Sequence, residues 1–313
     1  MMRFVVARLI SAIPTLFIVT VAVFVMVRLI PGDPAKLMLG DLAQPHQIEH
    51  MQRLMGLDKP LPVQYFVWLT NILSGDFGSS ITTGQEVFPL MLERFAVSAT
   101  IVLVAVGLAV LVSVPLGMLA AWRQNSATDL VVVAISTLLL SIPSFWLGLM
   151  ILLVFGLELN WFPIIGYVSF RDDFAAAAIF LVMPVATLTL IEIGSIVRMA
   201  RASTIEVARL EYITHARAKG LSESAVMWRH AFKNAFAPTW TLIGLILGSL
   251  LGGIAVIETV FTIPGLGRLL VDAIYARDYP TVQGCILFVA FIYVIVNLVV
   301  DLFYPVFDPR IAQ

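Results

Sequence analysis

The sharpest chemical pattern in this chain is "HQIEH", residues 46–50, which has the H-x-x-E-H spacing of inverted zinc proteases. On a helix, His46 and His50 fall on one face, as two zinc ligands must, with Glu49 completing the pattern. A third ligand and a substrate cleft need a folded domain around them, and the segment is short. The other histidines, His215 and His230, belong to a different part of the chain. The expectation is an exposed helix face without a metal. A membrane-embedded metallohydrolase using His46, Glu49 and His50 is the alternative from another functional class.

Carboxylates inside apolar sequence are the second kind of signal, because charge in a bilayer is costly and faces protein or water. Glu192 lies in "LTLIEIGSIVRMA", with Thr189 and Ser195 at i−3 and i+3. This stripe reads either as the lining of an aqueous path or as interhelical hydrogen bonding. Glu258 precedes "FTIPGLGRLL" and is expected to pair with Arg268 or another outer cation, and Asp301 is expected at an interface. No G-x-x-x-x-G-K-[ST] phosphate loop occurs; "GLGR" at 265–268 lacks its spacing and its Lys-Ser/Thr. No G-x-S-x-G occurs either.

The elements that must carry these residues are membrane helices. The 313 residues are 60% hydrophobic and 12% charged, with mean hydropathy +0.98, far from the composition of soluble domains. A formal charge of −1 argues against a nucleic-acid surface. The lone Cys285 cannot close an intrachain disulfide. Leu9–Ile30 is too long for a signal core and reads as a first span. Five more apolar runs cover 95–121, 130–157, 177–199, 237–260 and 281–303. The expected layout is a single all-α membrane unit: span 1–30, an extracytoplasmic segment 31–94, and a five-helix core 95–313 containing a polar loop 198–236.

Six spans put both termini on one side. That side carries Arg3, Arg8, Arg123, Arg198, Arg201, Arg209, Arg217, Lys219, Arg229, Lys233 and Arg310, 11 of the 19 basic residues. The other side holds the remaining 8, and there the 31–94 segment sets seven acidic residues against four basic ones. The positive-inside rule makes the termini and the 198–236 loop cytoplasmic.

Within that loop, "RASTIEVARLEYITHARAKG" reads as a helix with a capping box at Ser203 and Glu206. Gly220 suits the left-handed position after its end, with Leu221 as the hydrophobic contact beyond. Ser222 then caps a second helix, whose Ala225, Trp228, Phe232 and Phe236 form an apolar stripe. A stiff helix–glycine–helix corner is more than a connector requires and suits docking to another protein.

"ARAKGLSESAVMWRHAFKNAFAP" (216–238) resembles the cytoplasmic loop of ABC importer permeases of the peptide branch, with Thr214 and His215 where the general family has Glu and Ala. "IPGDP" (30–34), "MGLDKPLP" (55–62), "GDFGSS" (75–80), "VFTIPGLGRLLVDAI" (260–274), "RDYP" (277–280) and "DPR" (308–310) extend the resemblance along nearly the whole chain. It implies the type I importer fold and the first-type permease subunit of a dipeptide, oligopeptide, glutathione or nickel importer in a bacterial inner membrane. The implied partners are a second, similar permease, two ATPase subunits that bind ATP and Mg, and an extracytoplasmic binding protein. Ala216, Arg217, Ala218, Lys219, Gly220, Leu221 and Ser222 would form the element that docks into an ATPase.

Overall fold

The structure, a computed structural model, describes residues 2–29, 34–39, 43–54 and 56–307. Among the described residues there is no strand, only one isolated bridge between Ser79 and Glu86. Most of "IPGDP" and all of "DPR" lie outside them.

Helix α1 (Met2–Leu29) is followed by three short helices, α2 (Pro34–Leu39), α3 (Pro45–Leu54) and α4 (Leu61–Leu73). The long α5 (Val87–Trp122) starts before residue 95, so the segment between the first two spans ends at Glu86. Ser126 caps α6 (Ala127–Ser141) by accepting from the Asp129 N–H. The run expected as a span at 130–157 consists of two helices, α6 and α7 (Ser144–Ile151), bent by 97°. Pro143 causes the break: it lacks an N–H and drives Ile142 out of the helical region, to φ −87 and ψ 124. Past the bend, α7 continues as a π-helix, Leu152–Glu158.

Asp173 caps α8 (Phe174–Ala208), accepting from the N–H groups of Ala175 and Ala176. This helix runs well past residue 198. Ser203 therefore lies inside it and gives its hydroxyl to the Met199 carbonyl at 2.9 Å, so the expected capping box at Ser203 and Glu206 does not form. After α9 (Glu211–Ala218), a second continuous helix begins with α10 (Glu223–Ala225), becomes a π-helix at Val226–Ala231, and proceeds as α11 (Phe232–Gly253). The expected 198–236 loop thus shrinks to 209–222. The π turn also changes the buried face to Val226, Ala231 and Ala235, leaving Trp228 exposed. Three further helices finish the described chain: α12 (Ala255–Val260), α13 (Leu266–Tyr275) and α14 (Tyr279–Phe307).

Contacts along α8 decide whether the bent pair crosses the membrane. Thr189 Oγ1 donates to the Ala105 carbonyl at 3.2 Å, and Gly117 lies against the Val197 backbone, so α5 and α8 run parallel. The chain between them must return across. It does: Asp129 bonds Arg201, Ser136 and Leu140 pack on Gly194, Gly148 faces Thr187, and Gly156 faces Met183. This descent covers residues 201 to 183 of α8, about 27 Å at 1.5 Å per residue, close to the ~30 Å hydrocarbon thickness. The pair is one broken span, which with the five helices long and apolar enough to cross makes six.

A shared core of Ile101, Met118, Ile196, Ile254 and Ile263 joins α5, α8 and the 254–263 region. Against α14, α11 presents Gly244, Gly248 and Gly252 to Val300, Tyr293 and Val289, the small-residue spacing that lets membrane helices approach closely.

Candidate functional site

The corner at 209–222 is a small folded unit with its own core. Val207, Ile213, Ala216, Val226, Ala231 and Ala235 bury one another, with Trp122 at the end of α5 packed on them. The Asn234 side chain donates to the Tyr212 hydroxyl at 2.7 Å, tying α9 to α11. Gly220 has φ +78 and follows the end of α9, its N–H donating to the Arg217 carbonyl at 2.9 Å. Ser222 accepts from the Ala225 N–H at 3.4 Å and starts the next helix.

Of the seven residues proposed for docking, Ala216 is buried in this core, while Arg217, Ala218, Lys219, Gly220, Leu221 and Ser222 are exposed. Leu221, the expected hydrophobic contact beyond Gly220, is 40% exposed. Arg217 is not a free charge: it donates to Glu223 at 3.0 and 3.4 Å and lies 5.1 Å from the Trp122 ring centre. Arg217 thereby holds the corner to both α5 and α10. On the same side, the α5–α6 connection turns within Arg123–Ser126.

Sequence reasoning missed the ion pair beside it. Asp129 accepts from Arg201 Nε at 2.6 Å and NH2 at 2.8 Å, and also from the Asn125 N–H at 2.9 Å. The Asp129 side chain is only 6% exposed. This fork joins the start of α6 to the stretch of α8 that leads into the corner. Its signal was present in "NSATD", a helix start with an acid in the first turn.

Thr189 borders an open groove of about 600 Å³ between α5 and α8, lined almost wholly by apolar side chains such as Val104, Leu108, Phe174 and Val185. Glu192 and Ser195 are not among its lining residues. Glu192 is partly buried and has no hydrogen-bond or ion-pair partner among the described residues.

At the opposite end, two carboxylates serve as clamps. Glu258 is fully buried. Ser98 Oγ donates to it at 2.5 Å, and the Arg268 N–H donates at 2.8 Å. The expected pairing with Arg268 is therefore to its backbone at the start of α13; the guanidinium sits 3.8 Å from Asp272 instead. Gly265 is required here because a methyl group would overlap the Glu258 carboxyl. Asp278 of "RDYP" accepts from Ser80 Oγ, from Thr82 Oγ1 at 3.1 Å and from the Ile81 N–H at 3.1 Å, fastening "GDFGSS" to the head of α14.

His46 and His50 lie exposed on α3, where Glu49 faces Arg53 at 3.9 Å. No group of three or more His, Cys, Asp or Glu side chains able to hold a metal occurs among the described residues.

Comparison with known proteins matches the same regions. The binding-protein-dependent transport system inner membrane component family matches residues 113–313, and a separate family, the N-terminal part of binding-protein-dependent transport system membrane components, matches 1–104. A chain of Brucella suis biovar 1 (strain 1330), named for a peptide transport system permease, is 41% identical over 97% of both chains. A dipeptide transport system permease protein of Alkalihalophilus pseudofirmus is 36% identical over 99% of both. A glutathione transport system permease protein of Escherichia coli (strain K12) is 38% identical over 99% of both. With six membrane crossings, a folded corner at one end and clamped loops at the other, the chain belongs to the family of binding-protein-dependent transport system inner membrane components: it is a multi-pass permease subunit of an ABC importer, not an enzyme.

Proposed function

We propose that this chain forms half of the translocation path for peptides of the dipeptide and oligopeptide class, released to it by an extracytoplasmic binding protein. A second, homologous permease supplies the other half. Two ATPase subunits supply the ATP and Mg sites, in keeping with the lack of a phosphate loop here. The observation that carries the reading is the corner. Where Arg123–Ser126 needs only a turn, 209–222 builds a braced unit whose tip, Arg217–Ser222, is bare. A rigid, exposed tip fits insertion into an ATPase, and its bracing on α5 and α11 passes movement into the spans. Transport then follows alternating access, in which ATP favours the state whose contacts with the corner are stronger.

The excess of basic residues on the corner's side supports cytoplasmic termini and an extracytoplasmic face bearing the Glu258 and Asp278 clamps. Peptide substrates are supported by the names of the similar proteins. A glutathione importer is the second reading, supported by the Escherichia coli relative; a nickel importer rests on the sequence resemblance alone. Uptake of labelled dipeptide, oligopeptide, glutathione and nickel by the reconstituted complex with its binding protein separates them. ATP-dependent accumulation of peptide, not displaced by glutathione or nickel, is expected; accumulation of either of the others without peptide would reverse the assignment.

A further inference from the structure

We propose that α4 is not a water-facing part of the segment between the first two spans but is seated in the bilayer, in the leaflet at the Leu29 end of α1, with lipid acyl chains covering its outer face. The helix has 13 residues, LPVQYFVWLTNIL, with no charged side chain, and is too short to span. Leu61, Val63, Phe66, Val67 and Leu73 on it are 43–79% exposed. Charges begin again just outside it, at Asp58, Lys59 and Asp76.

Contact with α1 sets its depth. Gln64 accepts from Arg28 Nε at 3.0 Å, near the end of α1. Tyr65 reaches further in: its hydroxyl bonds Thr20 at 2.8 Å, and its ring meets Phe24 and Phe17 edge-on. Thr20 lies eight residues inward of Arg28, about 12 Å along the helix. Tyr65 thus packs on a stretch of α1 that is within the hydrocarbon, and α4 continues the lipid-facing surface formed by Ile18 and Phe17, 65% and 56% exposed.

The polar groups agree. In lipid, backbone and side-chain donors must be satisfied internally. Thr70 Oγ1 donates to the Phe66 and Val67 carbonyls, and Ser74 Oγ to those of Thr70 and Asn71. Gln64 Nε2 donates to the Leu57 and Lys59 carbonyls. Pro62 removes a donor from the first turn, and the Val63 and Gln64 N–H groups both bond the Pro60 carbonyl. Such back-bonding of Ser and Thr also occurs in water, so the depth set by Tyr65 on Thr20, Phe17 and Phe24 is what carries the proposal.

The test uses the full complex in bilayer nanodiscs, with nitroxides on Phe66→Cys and Val67→Cys in a Cys285→Ser background. Collision with oxygen is compared with collision with a neutral nickel chelate. Ile18→Cys on α1 is the lipid control, Asp58→Cys the water control, and retained substrate-stimulated ATP hydrolysis with binding protein shows that the complex is intact. An oxygen-to-nickel ratio at residues 66 and 67 matching Ile18→Cys, several-fold above Asp58→Cys, is expected. A ratio equal to Asp58→Cys would place this face in water and overturn the proposal. Protection from both reagents would mean that a partner protein covers the face in place of lipid, and would overturn the proposal equally.

Discussion

Ser98 and Glu258, on different helices, share one short hydrogen bond, and the same Ser98 oxygen accepts from the Leu266 N–H at 2.8 Å. One hydroxyl thus joins α5, α12 and the first turn of α13. The carboxylate does the work usually left to a helix cap, but from a buried position.

That position gives Glu258 an acid–base signature opposite to that of Asp278. Burial pushes the Glu258 carboxyl up, outweighing its bonds from Ser98 and the backbone of Arg268 and Gly267. The folded state holds this proton more tightly than the unfolded chain, so the group's contribution falls as pH rises from the ordinary carboxylate range through its folded value. At Asp278 burial also pushes upward, but the bonds from Ser80, Ile81 and Thr82 win and the carboxyl titrates below its usual range. Its contribution is present above the unfolded value and is lost as pH falls through the folded one. Thermal unfolding across acid to neutral pH should show Asp278→Asn flattening the loss on the acid side. Glu258→Gln should instead remove a decline toward neutrality. Identical pH slopes in wild type and both variants would contradict these assignments.

The Asp129–Arg201 fork is half-shielded: Asp129 is covered, while the Arg201 side chain is 25% exposed. Removing one partner loses a charge-assisted, two-bond contact, at a cost of about 1–3 kcal/mol. Asp129→Asn and Arg201→Gln should each lower the unfolding temperature of the purified complex. The exchange Asp129→Arg with Arg201→Asp should recover part of that loss. An exchange no better than the single variants would show that the fork's geometry, beyond its charge pairing, holds α6 to α8.

Glu192 has no hydrogen-bond or ion-pair partner among the described residues, so a passing substrate or the second permease is free to meet it. A carboxylate meeting a peptide ammonium gains about 1.5–3 kcal/mol from that hydrogen bond. Glu192→Gln should raise the half-saturating peptide concentration or lower flux, with membrane levels unchanged. Transport kinetics identical to wild type would assign the side chain to helix packing alone.

Much of this was legible beforehand because bilayers impose simple rules. Hydropathy located all six spans, and Gly220 and Ser222 announced the corner because a left-handed residue and a helix cap are local requirements. What stayed hidden depended on distant partners. Nothing near Glu258 in sequence points to Ser98, and nothing near Asp278 points to Ser80. The length of α8 was hidden too: its last turns are polar, so hydropathy ended the span at 199 while the backbone stayed helical to Ala208. The break at Pro143 stayed hidden as well, because 130–157 reads as one apolar run; its 97° bend depends on how α7 packs against α8 and α12.

Orientation is tested by chemical access. Ser79 and Ser222 are both exposed, at opposite ends of the bundle. In intact cells Ser222→Cys should react only with membrane-permeant thiol reagents, and Ser79→Cys with impermeant ones as well. The reverse pattern would invert the topology.

The central claim is that the 209–222 corner couples this chain to its ATPase. At φ +78, with open space around it, Gly220 is constrained only by its backbone. Valine there costs roughly 1–2 kcal/mol or more, whereas asparagine visits this conformation readily. The decisive measurement is ATP hydrolysis by the assembled complex in nanodiscs, with binding protein, in the presence and absence of substrate. Gly220→Val should insert normally and leave the binding protein's affinity for substrate unchanged, yet lose substrate-stimulated hydrolysis in nanodiscs and uptake in cells, while Gly220→Asn keeps most of both. Full stimulation by Gly220→Val would contradict the account and reduce the corner to a solvated connector.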